Sequence, residues 1–207
     1  MVFLITIAGG SGSGKTTVAN DIIKKTGKKN VLLISLDNYY KDFSKMKNLN
    51  RANINFDHPN AIDWDLLKSH ITDLLNFMPV KMPNYSFVKC GREKYTHISP
   101  KKIVILEGIF ALFDDYINKK SSLRIFVETD SDVRFIRRIK RDVIERKLPI
   151  KKNIDMWLRY VKPMYEQFIE PTKRNAHILI PEDQEGNMRD TAIDLIKTKA
   201  ESFLKRK

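Results

Sequence analysis

Short apolar runs alternate along the chain with stretches in which apolar residues recur every three or four positions. The runs predict buried strands, and most of the stretches between them predict helices. The predicted strands cover residues 3–8, 31–36, 103–106, 123–127 and 177–180. Such alternation is typical of a parallel sheet that is covered by helices on both faces. We therefore predict an α/β fold, a doubly wound parallel sheet, in a single domain over residues 1–207.

Two stretches interrupt this alternation. Residues 80–99 combine turn-forming residues with alternating aromatic residues, which predicts a β-hairpin inserted at the edge of the sheet. The residues that carry this pattern are Pro83, Gly91, Tyr85, Phe87 and Tyr95. Residues 130–170 contain two helical patterns joined around residues 147–150.

The composition indicates an ordinary globular protein, because 42% of the 207 residues are hydrophobic and 30% are charged. The first apolar run is too short to span a bilayer, lacks a basic leader and runs directly into glycines. We therefore expect no signal peptide and no membrane partner. The single cysteine, Cys90, fits a reducing compartment, and we expect a cytoplasmic protein.

The formal net charge of +13 raises nucleic-acid binding as a rival interpretation, because clustered cations attract phosphate backbones. Most basic residues, however, form pairs that are spread along the chain, such as Lys24 with Lys25 and Lys101 with Lys102. Such pairs are typical of solvated faces. We therefore do not expect a nucleic-acid partner.

The first predicted strand runs into a glycine-rich loop with the spacing G-x-x-x-x-G-K-[ST]. Glycines let successive N–H groups point inward, and the helix that follows adds its positive N-terminus, so the loop can bind phosphates. The candidate phosphate-binding residues are Gly9, Gly10, Ser11, Gly12, Ser13, Gly14, Lys15, Thr16 and Thr17. In this pattern Lys15 meets the β- and γ-phosphates and Thr16 offers its hydroxyl to Mg²⁺. The alternative is a plain glycine-rich turn, but strand and helix stand on the correct sides for a nucleotide site, most simply for MgATP.

Two acids also follow predicted strands. Asp37 ends the stretch "VLLISLD" and Glu107 ends "IVILE". Because ligands bind at the carboxyl ends of parallel strands, both acids should converge with the phosphate loop. Glu107 can hold Mg²⁺, and Asp37 can accept the proton of an attacking hydroxyl group, as a kinase requires. The alternative for Asp37 is that it caps a helix that starts at Asn38.

Several longer motifs resemble those of the uridine–cytidine kinases, within the phosphoribulokinase and uridine kinase group of P-loop kinases. The most specific is "NINFDHPNAIDWDLL" at residues 53–67, and it is accompanied by "SLDNYYKD", "VILEGIFAL", "RRIKRDVIER" and "VKPMYEQFIEPTK". The resemblance extends from about Phe3 to the last helical pattern. It implies an ATP-dependent kinase that phosphorylates the 5′-hydroxyl of uridine or cytidine, with ATP and Mg²⁺ as cofactors. It also implies a homo-oligomer, commonly a tetramer.

The resemblance further implies roles for individual residues. Asp37 would be the general base, with Tyr40 nearby, and Asp57 would bind the ribose hydroxyls. Tyr85 and Phe87 would flank the base, and Thr16 and Glu107 would serve the Mg²⁺ site. Residues 130–170 would form a lid whose arginines contact the phosphates and the nucleoside. Those arginines are Arg138 at the nucleoside and Arg141 and Arg146 at the phosphates, with Arg141 and Lys15 acting on the transferred group.

The chain departs from the family pattern where the nucleoside would be recognised. Cys90 replaces a histidine, Lys147 and Leu148 replace a glycine and an arginine, and Met156 replaces a glutamine. Near the last strand, a P-R-G segment reads Pro181, Glu182 and Asp183. A site that loses hydrogen-bonding groups loses discrimination. The acceptor could therefore be uridine or cytidine, or another ribose-like alcohol, since Asp57 implies a vicinal diol; a third alternative is a nucleotide-regulated binding protein.

Overall fold

A computed structural model of the chain describes residues 2–46, 53–181 and 187–205. Its strands are β1 Phe3–Ala8, β2 Val31–Ser35, β3 Val80–Ser86, β4 Gly91–Ile98, β5 Ile103–Glu107, β6 Leu123–Glu128 and β7 Ile178–Pro181. Five of them form a sheet in the order β2-β5-β1-β6-β7, and every pair in it is parallel. The five strands predicted from the sequence are those of this sheet, with ends that agree to within one residue.

Helices cover both faces of the five-stranded sheet. They are α1 Lys15–Thr26, α2 Trp64–Leu75, α3 Asp115–Lys120, α4 Ser131–Ile144, α5 Ile150–Met156, α6 Lys162–Met164 and α7 Asn187–Lys205. Short 3₁₀ turns span Leu36–Tyr39, Pro59–Ala61 and Glu170–Asn175. Along each strand successive side chains point to opposite faces, so β1 supplies two different cores. Phe3, Ile5 and Ile7 pack with α1 and α7, whereas Leu4 and Ala8 pack on the opposite face, where α2 lies. The predicted doubly wound α/β fold is confirmed.

The predicted hairpin is present as β3 and β4, which pair antiparallel with a register shift between Asn84 and Tyr85. The two strands form a separate sheet and do not extend the edge of the five-stranded sheet, which differs from the position predicted above. Side chains anchor the hairpin instead. Arg92 donates to the carbonyl of Tyr40 at 3.1 Å and to the carboxylate of Asp63 at 2.8 Å. The hairpin therefore lies beside the 3₁₀ turn that follows β2.

The two helical patterns predicted over residues 130–170 correspond to α4 and to a second helical arm that starts at α5. This second arm continues through π-helical turns at Trp157–Val161 and Tyr165–Ile169, on either side of α6. Lys147, between the arms, has a positive φ of 54°, a conformation that glycine adopts more readily. Within the described ranges, no helix combines the length and the apolarity needed to cross a membrane.

Candidate active site

A cleft opens at the carboxyl ends of β1, β2 and β5 and is closed on one side by α4 and α5. It brings together most of the side chains singled out from the sequence. Those that line it are Ser11, Lys15, Thr16, Asp37, Tyr40, Asp57, Phe87, Glu107, Arg138, Arg141 and Arg146. The remaining candidates are not among its lining residues; they are Gly9, Gly10, Gly12, Ser13, Gly14, Thr17 and Tyr85.

The phosphate loop has the backbone that its glycines predict. Gly12 has a φ of 82°, and a Cβ there would lie 2.5 Å from the carbonyl oxygen of Arg134 on α4. Any larger residue would therefore be strained and would also clash with that carbonyl. The ammonium group of Lys15 is buried and donates to the carbonyl of Gly10 at 3.0 Å. Burial lowers the pKa of the Lys15 ammonium, and the charges of Glu107 and Asp37 oppose that shift.

Glu107 and Thr16 lie side by side at the base of the cleft, where the Thr16 hydroxyl donates to the Glu107 carboxylate at 3.3 Å. Glu107 ends β5, and its side chain is 5% exposed. Burial raises the pKa of the Glu107 carboxyl, and the nearby Lys15 charge opposes that shift. Both side chains present hard oxygen atoms, which are the ligands that Mg²⁺ prefers.

This pair of oxygens fits Mg²⁺ better than a metal that needs a full protein cage. No group of three or more His, Cys, Asp or Glu side chains that could hold a metal occurs among the described residues. Protein-bound Mg²⁺ usually keeps several waters and takes further oxygens from substrate phosphates. The chemistry of Thr16 and Glu107 is therefore compatible with the predicted metal position.

Asp37 lies inside the 3₁₀ turn Leu36–Tyr39, and Ser35 is the residue that precedes this turn. The alternative in which Asp37 caps a helix that starts at Asn38 is therefore wrong. The side chain of Asp37 is partly buried and lines the cleft. It is near enough to Lys15 for its charge to favour the protonated ammonium. A carboxylate in this position can accept a proton close to where the phosphate loop would hold a γ-phosphate.

Aromatic side chains form the opposite end of the cleft. The rings of Tyr40 and Phe56 each lie 5.5 Å from the ring of Phe87, measured between centroids. Tyr40 is fixed by a hydrogen bond from its hydroxyl to the carbonyl of Phe56 at 2.9 Å. The ring of Tyr85 packs against these rings, with its centroid 5.4 Å from that of Tyr40 and 5.3 Å from that of Phe87. The arrangement offers apolar faces on which a planar base can stack.

The predicted arginines of α4 and the following turn reach both ends of the cleft. Arg138 donates to the hydroxyl of Ser11 in the phosphate loop at 2.9 Å and lies 3.6 Å from the carboxylate of Asp57. Arg146 lies over the ring of Phe87, with its guanidinium carbon 4.1 Å from the ring centroid. Since a guanidinium group stays charged and donates paired hydrogen bonds, these side chains suit phosphate oxygens.

The residues that differ from the family pattern lie in different parts of the structure. Met156 lines the cleft. Cys90 is only 1% exposed, and its thiol faces the carbonyl of Phe87 at 3.5 Å, while Leu148 is 9% exposed. Neither of these two side chains lines the cleft, so Met156 is the departure best placed to meet a ligand. Of the altered segment at residues 181–183, Pro181 ends β7, and Glu182 and Asp183 lie outside the described residues.

Sequence reasoning missed several residues of the site, among them Gly108 and Ile109, which follow Glu107 and line the cleft. Phe56 and Asp142 line the cleft, and the buried Arg134 packs its side chain against Gly10 in the phosphate loop. Phe56 directly precedes Asp57, which could have indicated it. Arg134, Arg138 and Asp142 recur every four residues on α4, so the helical period places them on one face. This four-residue spacing could have indicated that Arg134 and Asp142 share the face of α4 on which Arg138 lies.

Comparisons with known proteins identify the family of the chain. A sequence profile of the Phosphoribulokinase / Uridine kinase family matches residues 4–189. The chain is 46% identical over 201 residues to a uridine kinase of Halobacterium salinarum, covering 97% of this chain and 87% of the relative. It is 45% identical over 202 residues to a uridine kinase of Bacillus subtilis, covering 97% and 94%.

Solved structures support the fold. A structure from Bacillus stearothermophilus that is described as a possible uridine kinase superposes with a TM-score of 0.55 at 18% identity, covering 86% of this chain and 88% of that one. At this identity the likeness concerns the fold alone. The family profile and the curated relatives carry the assignment, and they agree with the motifs in the sequence. The chain belongs to the phosphoribulokinase/uridine kinase family.

Proposed function

We propose that the protein transfers the γ-phosphoryl group of ATP to the 5′-hydroxyl of uridine or cytidine, giving UMP or CMP and ADP. The observation that carries this proposal is a single cleft in which the phosphate loop, the Asp37 carboxylate and a group of aromatic rings meet. Relatives that cover nearly the whole chain at 45–46% identity are uridine kinases. The reaction would supply nucleotides by salvage of pyrimidine nucleosides.

The chain's own residues divide the transfer step between them. Asp37 accepts the proton of the ribose 5′-hydroxyl as its oxygen attacks the γ-phosphorus, and the bond from that phosphorus to the β-phosphate oxygen breaks. Lys15 and Arg141 stabilise the charge of the transferred group, and Arg146 adds a further cation at the phosphates. Mg²⁺, held by Thr16 and Glu107, would supply charge neutralisation at the phosphates.

The acceptor is recognised at the other end of the cleft. Asp57 accepts hydrogen bonds from the ribose hydroxyls, Arg138 joins Asp57 to the phosphate loop, and Phe87 stacks on the base with Tyr85 behind it. Because Met156 stands where the family has a glutamine, polar contacts to the base are reduced here. That observation favours a second candidate function, which is the phosphorylation of another ribose-like alcohol. A nucleotide-regulated binding protein is disfavoured, since it would need no carboxylate beside the phosphate loop.

A coupled ADP-release assay tests the proposal. The protein with ATP and Mg²⁺ is offered uridine, cytidine, adenosine, guanosine, ribose and 5′-deoxyuridine, which lacks the attacked hydroxyl group. We expect turnover with uridine and cytidine and none above background with 5′-deoxyuridine. Turnover only with another acceptor would support the second candidate, and silence with all of them would overturn both. Cytoplasmic location and homo-oligomeric assembly remain predictions.

A further inference from the structure

Asp142 is a buried acid that is surrounded by a cluster of arginine side chains on the lid. It lies on α4, and its side chain is 1% exposed. One carboxylate oxygen lies 2.8 Å from Arg141 and 3.5 Å from Arg146, and the other lies 3.5 Å from Arg138. The same carboxylate therefore contacts all three arginines that were assigned to phosphates and nucleoside.

The convergence of three guanidinium groups is costly without a central anion. Like charges at short range repel, and partial burial strengthens the repulsion because less water screens it. Burial lowers the pKa of Arg146, the charge of Arg141 lowers it further, and the charge of Asp142 opposes both. Asp142 thus acts as a shared counter-ion.

The position of Asp142 is otherwise unfavourable for binding phosphates. Asp142 lines the cleft beside residues of the phosphate loop, where a carboxylate repels an incoming triphosphate. Neutral residues would bind ATP better if electrostatic attraction were all that mattered. The contacts of Asp142 with Arg138, Arg141 and Arg146 indicate that it acts through these arginines.

The backbone of Asp142 also fixes the turn between the two helical arms. Its carbonyl accepts a hydrogen bond from the N–H of Leu148 at 3.0 Å, across the left-handed residue Lys147. Arg146 lies within this closed turn, so both the backbone and the side chain of Asp142 determine where its guanidinium group points. That group lies over Phe87, at the boundary between the phosphate and base ends of the cleft.

We propose that Asp142 is a positioning residue for phosphoryl transfer, which holds the guanidinium groups of Arg138, Arg141 and Arg146 in a fixed convergent arrangement. The phosphate oxygens then meet donors whose geometry is already set, so little reorganisation is needed in the transition state. This inference rests on the proposed kinase function. It adds a residue that acts through Arg138, Arg141 and Arg146.

The test is Asp142→Asn, which keeps the shape of the side chain and removes its charge. We expect kcat to fall by about tenfold or more while Kd for ATP stays within about threefold, because the lost interaction is specific to the transition state. Asp142→Glu, which restores the charge, should recover part of the loss. Asp132→Asn, an exposed acid on the same helix, is the matched control and should leave kcat unchanged. A kcat for Asp142→Asn within about twofold of the parent's would overturn the proposal.

A double-mutant cycle with Arg146→Met separates positioning from a general loss of stability. If Asp142 acts through Arg146, the two substitutions should be non-additive, so that Asp142→Asn costs much less in the Arg146→Met background. Effects on kcat that multiply independently would contradict positioning, as would failure of both the Asn and Glu variants to fold. All rates are measured with whichever acceptor the unmodified protein turns over. An inactive parent protein would instead count against the proposed function.

Discussion

The two ends of the cleft are built in different ways. At the phosphate end, Lys15, Asp37 and Glu107 lie at or just beyond the carboxyl ends of three strands of the five-stranded sheet, so the backbone of the fold places them. At the acceptor end, Asp57, Phe87 and Met156 come from segments inserted between strands, and long-range side-chain contacts hold those segments. The difference suggests that the sheet fixes which chemistry is done, whereas the inserted segments decide which molecule receives the phosphate.

Mutations can test this difference between the two ends of the cleft. Substitutions at the phosphate end should slow transfer to every acceptor by a similar factor and leave the ranking of acceptors unchanged. Substitutions at the acceptor end should change the ranking.

Asp37→Asn should cause the largest loss. Removal of the proposed general base should lower kcat by about 10²-fold or more for uridine and cytidine alike, since general-base catalysis contributes on this order. ATP should still bind, because Asp37 is outside the phosphate loop. Steady-state kinetics and a binding titration with ATP measure the two effects, with the exposed Asp115→Asn as the control. Unchanged phosphorylation would remove Asp37 from the mechanism.

Asp57→Asn should change the ranking of acceptors. The unmodified protein should prefer uridine over 2′-deoxyuridine by about tenfold to a hundredfold in kcat/KM, because a carboxylate that binds a hydroxyl is worth roughly 1.5–3 kcal/mol. In the variant this preference should shrink to a few-fold, mainly through loss of activity with uridine. Asp65→Asn, an exposed acid on α2, is the control. An equal loss for both nucleosides would contradict a role for Asp57 in reading the ribose.

Phe87→Ala should raise KM for uridine by about tenfold, because stacking of a base on an aromatic ring is worth roughly 1–3 kcal/mol. The effect on kcat should be smaller, since stacking holds ground state and transition state alike. Val88→Ala, which removes a neighbouring side chain that is 73% exposed, should leave KM unchanged. A KM that does not move would place the base elsewhere in the cleft.

Met156→Gln should have the smallest effect. An added amide in the cleft should raise kcat/KM for uridine and cytidine relative to ribose by about threefold, which is the size of one modest hydrogen bond. Ile154→Gln, which changes a 37% exposed residue on the same helix, should leave the ratio unchanged. A ratio that Met156→Gln does not alter would mean that Met156 is a neutral replacement.

Local sequence patterns predicted the parts of the molecule that local rules determine. The apolar runs located the five parallel strands, and the positions of Asp37 and Glu107 after those strands indicated a common cleft. The hairpin was recognised but misplaced. The hairpin is anchored by the contact between Arg92 and Asp63, two residues that are 29 positions apart. No sequence pattern in either segment predicts this contact.

The sequence also did not predict which individual side chains are buried and which line the cleft. Cys90, Leu148 and Met156 looked equivalent as departures from the family pattern, yet of the three only Met156 lines the cleft. Cys90 itself has a positive φ of 53°, a conformation that the sequence did not indicate and that helps to set the direction of its side chain. Asp142 was overlooked because its role depends on three arginines that only the folded helix and turn bring together.

Transfer of the phosphate from ATP to the 5′-hydroxyl of uridine can be observed directly by ³¹P NMR of the reaction mixture. With uridine, ATP and Mg²⁺, we expect a new phosphomonoester signal that is coupled to the two 5′ protons of the ribose and grows in step with ADP. Release of ADP without a phosphorylated nucleoside, or a phosphate on the 2′- or 3′-hydroxyl, would contradict it.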